Sequence, residues 1–423
     1  MNIGYACLAI GVSGTRLRSC RQDKATPARL DEITAHNLQV LENLVAYNAG
    51  QGIRLFRISS DIIPFGSSPV NRQPWDEQHA GQLARIGALI RSSGMRVSMH
   101  PGQYTVLNSP DRDVVARAVA DLVYHDRLLE ALGTGRESKI ILHIGGAYGS
   151  KSAALERFAR EYEQLGDSVL QRLVIENDER IFTVADALQV HRLVRVPVVF
   201  DNLHHALNRP DGAGTDPEDD RSWVAACRDT WQDADGRQKI HYSQQAAGKR
   251  PGAHSDTIEA ARFLRDTDGF PDDLDVMLEV KDKNLSAVKC IHCLQPDGPI
   301  TLLEQEWARY KYEVLEYAPD IYLAIRQLLK DKKAWPALDF YTLVEKAQGR
   351  TVLPGHAVNA AQHVWGYLSE QAGEQEKRQF ARLLARYRSG ESPIEPLKRF
   401  LLKIARAQGQ PYLEQSLYLT RLL

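Results

Sequence analysis

Short apolar runs alternate with amphipathic segments about eight times over the first 281 residues of this 423-residue chain. Several runs, such as Ile140-Ile141-Leu142 and Val198-Val199-Phe200, are apolar at every position, which is typical of strands covered on both faces. We therefore predict an α/β fold, a (β/α)8 TIM barrel, with a doubly wound open sheet as the alternative. The predicted strands are Ile3–Ile10, Ile53–Ser59, Arg96–His100, Lys139–Gly145, Leu173–Asp178, Pro197–Asn202, Lys239–Ser243 and Asp275–Lys281.

The pattern changes near residue 290, beyond which amphipathic segments are separated by Gly and Pro and no run resembles a strand. We therefore predict two domains, a TIM barrel over residues 1–293 and an all-α C-terminal module over residues 300–423. Asn208–Asp220, which is rich in Gly, Pro and Asp, is predicted to be a flexible loop. The predicted C-terminal helices are Leu302–Ala318, Ile321–Lys333, Phe340–Gln348, Val358–Ala372, Glu374–Arg388 and Ile394–Ala407.

The composition excludes several classes of protein. With 53 Lys and Arg against 54 Asp and Glu, the chain does not coat nucleic acid by bulk charge, although a local basic groove stays open. No apolar run approaches the about 20 residues of a membrane helix, and the N-terminus lacks the basic start of a signal peptide. The five cysteines are odd in number and mostly scattered, so we expect a reducing, cytoplasmic location.

Histidines and carboxylates recur where the later predicted strands end. In a barrel these ends point to one face, where active sites lie. A single histidine at a strand end is usually structural, so the argument depends on the repetition. This donor set without thiolates suits two or three divalent ions, with Glu176 or Glu279 as a bridge. The residues are His100, His143, Glu176, Asp201, His204, His241, His254 and Glu279.

Two segments have the character of DNA contacts. Pro101-Gly102 predicts a tight turn that presents Gln103 and Tyr104 above the metal pocket, where an aromatic ring and an amide can replace a displaced base. Lys249 and Arg250 lie in a loop framed by Gly and Pro and are candidate phosphate contacts. Each segment alone is more often an ordinary surface loop.

Two other kinds of site have little support. Cys290-Ile291-His292-Cys293 has no second cysteine pair to complete a structural zinc site. The chain also lacks the Gly-x-Ser-x-Gly pattern of a serine nucleophile.

Residues 1 to about 293 resemble the UV damage endonucleases, the repair enzymes that incise DNA beside ultraviolet photoproducts. The resemblance is carried by several long stretches in order along the chain. They are Gly4-Tyr5, Phe56-Arg57-Ile58-Ser59-Ser60-Asp61, Ser98-Met99-His100-Pro101-Gly102-Gln103-Tyr104, Leu142-His143-Ile144-Gly145-Gly146-Ala147-Tyr148-Gly149, Glu176-Asn177-Asp178-Glu179-Arg180, Asp201-Asn202-Leu203-His204-His205-Ala206-Leu207-Asn208, Lys249-Arg250-Pro251-Gly252-Ala253-His254 and Met277-Leu278-Glu279-Val280-Lys281-Asp282-Lys283.

This resemblance implies a barrel related to apurinic-site endonuclease IV and a three-metal centre often associated with manganese. It implies the same eight ligands, a lesion-probing role for Gln103 and Tyr104, and a position near the flipped bases for Tyr5. Lys239 matches a family lysine at the metal cluster, and we hypothesise that it is carbamylated because a plain ammonium would repel the ions. We assign Glu176, Lys239 and Glu279 as catalytic residues.

One position departs from the family pattern. After Ile63-Pro64-Phe65, family members commonly have a Ser-His pair whose histidine is a ligand, and this chain has Ser68 there. A hydroxyl is a far weaker ligand than an imidazole. We therefore expect one of the three ions to be loosely held or absent.

Residues from about 300 to 423 resemble a second, uncharacterised helical family that is sometimes found with thiouracil-desulfurase domains. The matching stretches are Trp307-Ala308-Arg309-Tyr310-Lys311-Tyr312, Asn359-Ala360-Ala361-Gln362-His363-Val364-Trp365-Gly366-Tyr367 and Tyr387-Arg388-Ser389-Gly390. No activity is implied by this resemblance. We predict that Trp307, Trp365 and Tyr367 belong to the core of the helical module.

The predicted function is that of a metal-dependent endonuclease that cuts UV-damaged double-stranded DNA 5′ to the lesion and leaves a 3′-hydroxyl and a 5′-phosphate. We expect Mn²⁺ as the cofactor, and Mg²⁺, Co²⁺ or Zn²⁺ could take its place. The nearest competing function is an abasic-site endonuclease on the same barrel. A divalent-metal sugar isomerase and a damage-binding protein without activity are two more distant candidates.

Overall fold

The computed structural model of the chain describes residues 1–212, 214 and 217–421. Its central feature is a closed barrel of eight parallel strands in sequence order, in which β8 pairs with β1. The prediction of a TIM barrel is therefore confirmed, and each predicted strand overlaps one observed strand. The strands are β1 (Asn2–Ala6), β2 (Leu55–Ile58), β3 (Arg96–Met99), β4 (Lys139–His143), β5 (Leu173–Glu176), β6 (Val198–Asp201), β7 (Lys239–Tyr242) and β8 (Asp275–Leu278).

Helices follow the strands and begin at recognisable caps. Thr26 precedes Pro27 and its side chain accepts a hydrogen bond from the backbone of Arg29, while Thr183 and Asp186 form a capping box. The helices are α1 (Pro27–Gly50), α2 (Trp75–Gln78), α3 (Ala80–Ser92), α4 (Arg112–Ala131), α5 (Lys151–Tyr162), α6 (Asp167–Arg172), α7 (Val184–Val194), α8 (Asn202–Leu207), α9 (Pro217–Arg228), α10 (Ala260–Asp266) and α11 (Asn284–Leu294).

The strand register brings the ligand-type residues to the same height of the barrel. His143 in β4 pairs with Glu176 in β5, and Asp201 in β6 pairs with His241 in β7. His100 and Glu279 are the first residues after β3 and β8. All six residues therefore lie at the carboxyl ends of parallel strands, the end that carries the active site in barrel enzymes.

The chain divides into two compact units. The barrel unit comprises Met1–Ala9, Gly14–Ile258 and Asp266–Ile291, and the helical unit comprises Ile10–Ser13, Glu259–Arg265 and His292–Leu423. The helical unit therefore includes two short segments from earlier in the chain, which the predicted boundaries did not anticipate. The remaining helices are α12 (Ile300–Tyr317), α13 (Pro319–Leu328), α14 (Ala337–Gln348), α15 (Pro354–Leu368), α16 (Glu374–Arg388), α17 (Glu395–Ala407), α18 (Pro411–Glu414) and α19 (Leu417–Thr420).

An apolar core joins α12 and α15–α19 in the helical unit. Trp365 packs on this core and stacks on Phe380 with ring centres 4.3 Å apart, which agrees with the predicted core position. Trp307 is half-buried against Tyr322. The core prediction is wrong for Tyr367, which is 47% exposed because it lies at the edge of the apolar stripe of α15.

Two further predictions concern the surface of the chain. Residues 213, 215 and 216 of the predicted loop Asn208–Asp220 lie outside the described residues, and its last residues begin α9. None of the helices in the described residues combines the length and hydrophobicity needed to cross a bilayer.

Candidate metal centre and nucleic-acid interface

Glu176 lies at the centre of the carboxyl end of the barrel, with four imidazoles around its carboxylate. Its Oε2 lies 3.2 Å from Nε2 of His100 and 3.9 Å from Nε2 of His143. Its Oε1 lies 3.0 Å from Nδ1 of His241 and 3.3 Å from Nδ1 of His204. Four imidazoles that are distant in sequence therefore lie within 4 Å of one carboxylate.

The sequence Asp201-Asn202-Leu203-His204 brings two ligand-type residues together locally. Asp201 ends β6 and is the N-cap of α8, where its Oδ1 accepts a hydrogen bond of 2.7 Å from the backbone N–H of His204. The His204 ring turns towards Glu176, and its Nδ1 also lies 3.0 Å from the carbonyl oxygen of Asn177. The cap therefore fixes the spacing between the carboxylate and the imidazole.

Glu279 extends the cluster on the other side of His241. Its Oε1 lies 3.5 Å from Nδ1 of His241, and its Oε2 lies 3.6 Å from Nε2 of His254. The guanidinium of Arg57, at the end of β2, forms an ion pair with the same carboxylate. All eight predicted ligands thus belong to one connected group, and their role as ligands stays a prediction.

Unpartnered buried atoms show that this group suits cations. Nδ1 of His143, Oδ2 of Asp201 and Nε2 of His241 are buried and have no hydrogen-bond partner among the described residues. An unsatisfied buried polar atom costs about 1–3 kcal/mol, so three in one cluster indicate that something else satisfies them. Imidazole nitrogens and carboxylate oxygens are the donors that borderline and hard divalent ions accept. Glu176 joins two groups whose ligand atoms lie within 4.8 Å of one another, one with His100 and His241 and one with Asp201 and His204.

The cluster also perturbs its own proton equilibria. Burial raises the pKa of Glu176, but the surrounding imidazoles, chiefly His241 and His143, outweigh burial and hold this pKa well below its usual range. Burial lowers the pKa of His100 to about 4. Burial also lowers the pKa of His204, but Asp201 and Glu176 together raise it to about 11. A carboxylate kept ionised among imidazoles is ready to receive a cation.

A turn after β3 presents Gln103 and Tyr104 to solvent. The N–H of Thr105 donates to the carbonyl of Gly102 at 2.9 Å, which places Gln103 and Tyr104 at the two central positions of a β-turn. The hydroxyl of Thr105 donates to Asp121 at 2.6 Å and fastens the turn to α4. Tyr104 is 78% exposed and Gln103 is also exposed, so both are available for contact with a ligand.

Lys249 and Arg250 lie at the exposed tip of a loop that follows β7. Gln245 and His254 form an antiparallel bridge, and the N–H of Ala246 donates to the carbonyl of Ala253 at 2.7 Å. His254 lies at the base of this loop and contacts Glu279. The loop that carries Lys249 and Arg250 therefore starts at the cluster of predicted ligands.

Three further positions belong to the prediction: Tyr5, Lys239 and Ser68. Tyr5 is fully buried and its hydroxyl donates to Asn48 of α1 at 2.8 Å, so it packs between barrel and helix and offers no surface to a base. Lys239 is also fully buried; its Nζ has no hydrogen-bond partner in the described structure, and burial lowers its pKa well below the usual range. Ser68 accepts a hydrogen bond of 3.3 Å from the backbone of Val70, and no contact joins it to the cluster of predicted ligands in the described residues.

Two residues of this face, Arg57 and Tyr148, are not among the predicted site residues. Arg57 has a detectable signal, because a lone charge inside the apolar strand Leu55-Phe56-Arg57-Ile58 needs a buried partner. Tyr148 follows the glycines of the loop after β4, is 48% exposed and has a positive φ of 48°. Its aromatic side chain after glycines repeats the pattern that singled out Tyr104.

Comparisons with known proteins identify both parts of the chain. A family model described as UV-endonuclease UvdE matches residues 2–306, and a model described as a protein of unknown function (DUF1722) matches residues 311–421. A UV DNA damage endonuclease of Clostridium perfringens is 33% identical over 429 residues, which cover 100% of both chains.

Other relatives match the first part of the chain. A UV DNA damage endonuclease of Bacillus velezensis is 32% identical over 61% of this chain and 80% of its own length. A crystal structure of SacUVDE is similar with a TM-score of 0.65 and 35% identity, and covers 70% of this chain and 98% of its own. The two-part organisation is therefore shared over the full length with the Clostridium protein.

Proposed function

The chain belongs to the UV-endonuclease UvdE family, and from this premise we propose that it incises double-stranded DNA immediately 5′ to UV photoproducts. The observation that supports the proposal most strongly is the Glu176 carboxylate, surrounded by four imidazoles next to buried donor atoms that lack partners. Water adds to the phosphorus and the bond to the 3′ oxygen breaks, which leaves a 3′-hydroxyl and a 5′-phosphate.

Two or three divalent ions, with Mn²⁺ as the first choice before Mg²⁺, Co²⁺ or Zn²⁺, would be held by the eight residues of the cluster. When bound, such ions supply a Lewis acid that neutralises phosphate charge and lowers the pKa of water. Glu176 and Glu279 are our candidate bridging residues. Arg57 orients Glu279 through their ion pair and keeps its carboxylate ionised.

The loops around the cluster would position the DNA. Gln103 and Tyr104 are placed to fill the gap left by a damaged base pair, because an exposed ring at the tip of a turn can stack on the neighbouring base. Tyr148 adds a second exposed ring to this face. Lys249 and Arg250 are the candidate phosphate contacts beside His254. Damaged steps are easier to unstack than intact ones, which gives a basis for selectivity.

The decisive experiment measures incision of a duplex that carries one photoproduct. We expect Mn²⁺-loaded protein to cut 5′ to the lesion, a chelator to stop cutting, and Glu176→Gln to lose at least about a thousandfold in rate, the equivalent of about 4 kcal/mol. Equal cleavage by both proteins would remove Glu176 from the mechanism. Cleavage confined to a matched abasic duplex would replace the proposal with an abasic-site endonuclease, and binding without cleavage would leave a damage-binding protein.

Ser68 gives a prediction about the number of ions. Because a hydroxyl stands where the family has an imidazole, we expect fewer than three tightly retained ions per chain after desalting. Ser68→His is expected to increase the number retained. Metal analysis that finds three tightly held ions in the unaltered protein contradicts the prediction.

We also propose a cytoplasmic location, on the basis of the scattered cysteines and the DNA substrate.

A further inference from the structure

The surface of the helical unit carries a concentration of positive charge that the metal centre does not explain. The whole chain has a net charge of −1, yet residues 374–406 contain nine bases and four acids. The acids lie near the ends of the two helices. The bases are Lys377, Arg378, Arg382, Arg386, Arg388, Lys398, Arg399, Lys403 and Arg406, and the acids are Glu374, Glu376, Glu391 and Glu395.

Six of the exposed bases form two rows, which we name the basic face. Arg378, Arg382 and Arg386 follow one another at intervals of four residues on α16. Arg399, Lys403 and Arg406 do so at intervals of four and three on α17. Each row is about 11–12 Å long at 1.5 Å per residue.

Both rows point away from the same apolar core. Phe380 and Leu384 of α16 and Leu397 and Leu401 of α17 belong to one buried cluster. Arg378 and Arg399 are each two residues from a core position, which is about 200° around the helix. The two rows therefore lie on the outer side of neighbouring packed helices.

The charges of the basic face are mostly left without partners. In the described part of the chain, Arg386 has only a long contact of 3.9 Å with Glu391, and the other five bases form no ion pair. Like charges four residues apart destabilise a helix. The rows therefore weaken the helices that carry them, which a merely solubilising surface of mixed charges avoids.

We propose that the basic face binds the phosphodiester backbone of double-stranded DNA without regard to sequence or damage. Duplex DNA presents one negative charge for about every 1.7 Å of axis, so a row of about 12 Å faces several phosphates. Five of the six bases are arginines, whose planar guanidinium matches phosphate oxygens in pairs. This proposal rests on the proposed function in one respect only, which is that the polyanion is DNA.

The same face is poorly suited to a lipid surface. An amphipathic helix that binds membranes inserts large apolar side chains between lipids. In α16 and α17 the large apolar side chains are buried in the core or packed against it, and the exposed residues between the bases of α16 include Ala381 and Ala385. Charge complementarity without an exposed apolar edge favours DNA over a membrane.

The test measures the affinity of the full-length protein for an undamaged 30-base-pair duplex at several salt concentrations, with chelator present. The altered protein is Arg378→Gln/Arg382→Gln/Arg386→Gln. The matched control is Lys330→Gln/Lys333→Gln/Lys346→Gln, which removes the same charge from exposed positions on α14 and in the segment that precedes it. We expect the basic-face variant to bind about tenfold more weakly or worse, with a salt slope smaller by about 2–3, because each phosphate contact contributes about 0.9.

Equal slopes for the two triple variants overturn the proposal. An unchanged DNA slope together with lost binding to phosphatidylserine vesicles also overturns it, in favour of a membrane surface. Two further variants keep a folding defect in one protein from deciding the result. We expect the salt slope of DNA binding to stay the same in Arg378→Lys/Arg382→Lys/Arg386→Lys. We expect it to fall in Arg399→Gln/Lys403→Gln/Arg406→Gln. Undamaged DNA without divalent ions needs no incision, so failure of the endonuclease assay leaves this test intact.

Discussion

Charged side chains are buried at both ends of the barrel, but the two ends differ in how these side chains are paired. At the amino end, Lys139 donates to the carbonyl of Gln171 at 2.7 Å and pairs with Asp235, and Arg96 lies 2.8 Å from a carboxylate oxygen of Asp275. Each of these amino-end charges has an opposite charge as its partner. Their charges hold the first residues of the strands to one another and to the connecting loops.

At the carboxyl end, Asp201, His143 and His241 each keep one buried polar atom without a partner in the described structure. An unpaired buried group costs about 1–3 kcal/mol, whereas a buried group that forms its hydrogen bond stabilises the fold by about 0.5–1.5 kcal/mol. The difference teaches that burial and charge alone do not locate a functional site. Several unsatisfied atoms within one cluster of ligand-type residues are the stronger sign, because the protein gives up stability there to keep donors for a ligand.

The largest expected effect separates activity from stability at the carboxyl end. Asp201→Asn keeps the Oδ1 cap on His204 but removes a buried charge whose Oδ2 has no partner. We expect incision to fall at least about a hundredfold, since even residues behind the ligands cost 10–100-fold. Without metal, the unfolding midpoint should stay the same or rise. Activity assays and thermal melts in chelator measure both effects.

Metal ions provide the control for this variant. Ions that bind only the folded state raise its stability by mass action, so Mn²⁺ should raise the melting temperature of the unaltered protein more than that of Asp201→Asn. If the variant lost stability in chelator, Asp201 would be structural and the contrast between the two ends would fail.

The next largest effect is expected at the amino end, where a substitution should lower stability and leave activity unchanged. Lys139→Met leaves Asp235 and the carbonyl of Gln171 without the ammonium they share. We expect a loss of about 2–3 kcal/mol in the free energy of unfolding, at the low side for a broken buried pair because Asp235 reaches solvent. Denaturant unfolding measures this loss. The rate of incision per folded molecule should stay within twofold, and a hundredfold loss of activity would break the comparison.

The barrel could be predicted from the sequence because the same pattern recurs for every strand. Each strand is an apolar run at a regular spacing, and strand ends converge in any parallel barrel, so His100, Glu176 and Glu279 follow from order alone. The resemblance to a known family adds the roles of these residues, and it adds Tyr5 and Lys239 to the predicted site.

The sequence does not show on which face of a strand or helix a given side chain lies, so positions that depend on this could not be predicted. Tyr5 lies in a short strand that is buried on both sides, so no alternation of polar and apolar residues indicates where its ring points. Tyr367 is three residues from the buried Val364, but the width of an apolar stripe depends on the neighbouring helices. Unpartnered atoms such as Nε2 of His241 depend on distances, which composition and spacing do not contain.

A smaller effect is expected beyond the strand ends, in the loops. Tyr104→Ala removes an exposed ring without touching the metal cluster, and should weaken binding to a damaged duplex by about 1–2 kcal/mol, within the range for one aromatic stacked on a base. Tyr367→Ala is the matched control, because Tyr367 is an exposed tyrosine of the helical unit. Fluorescence anisotropy in chelator measures both. Equal losses in the two variants would remove Tyr104 from the lesion contact.

The smallest expected effect is a change of mass, and it compares two buried lysines. Lys139 has its acidic partner, whereas Nζ of Lys239 has no hydrogen-bond partner in the described residues. A buried amine that burial keeps neutral can add CO2 and release a proton, and the resulting carbamate is an anion that suits a neighbouring cation. Native mass spectrometry of gently handled, metal-loaded protein should show one added CO2 that is lost in Lys239→Met and kept in Lys139→Met. Only unmodified Lys239 in the native protein would count against carbamylation.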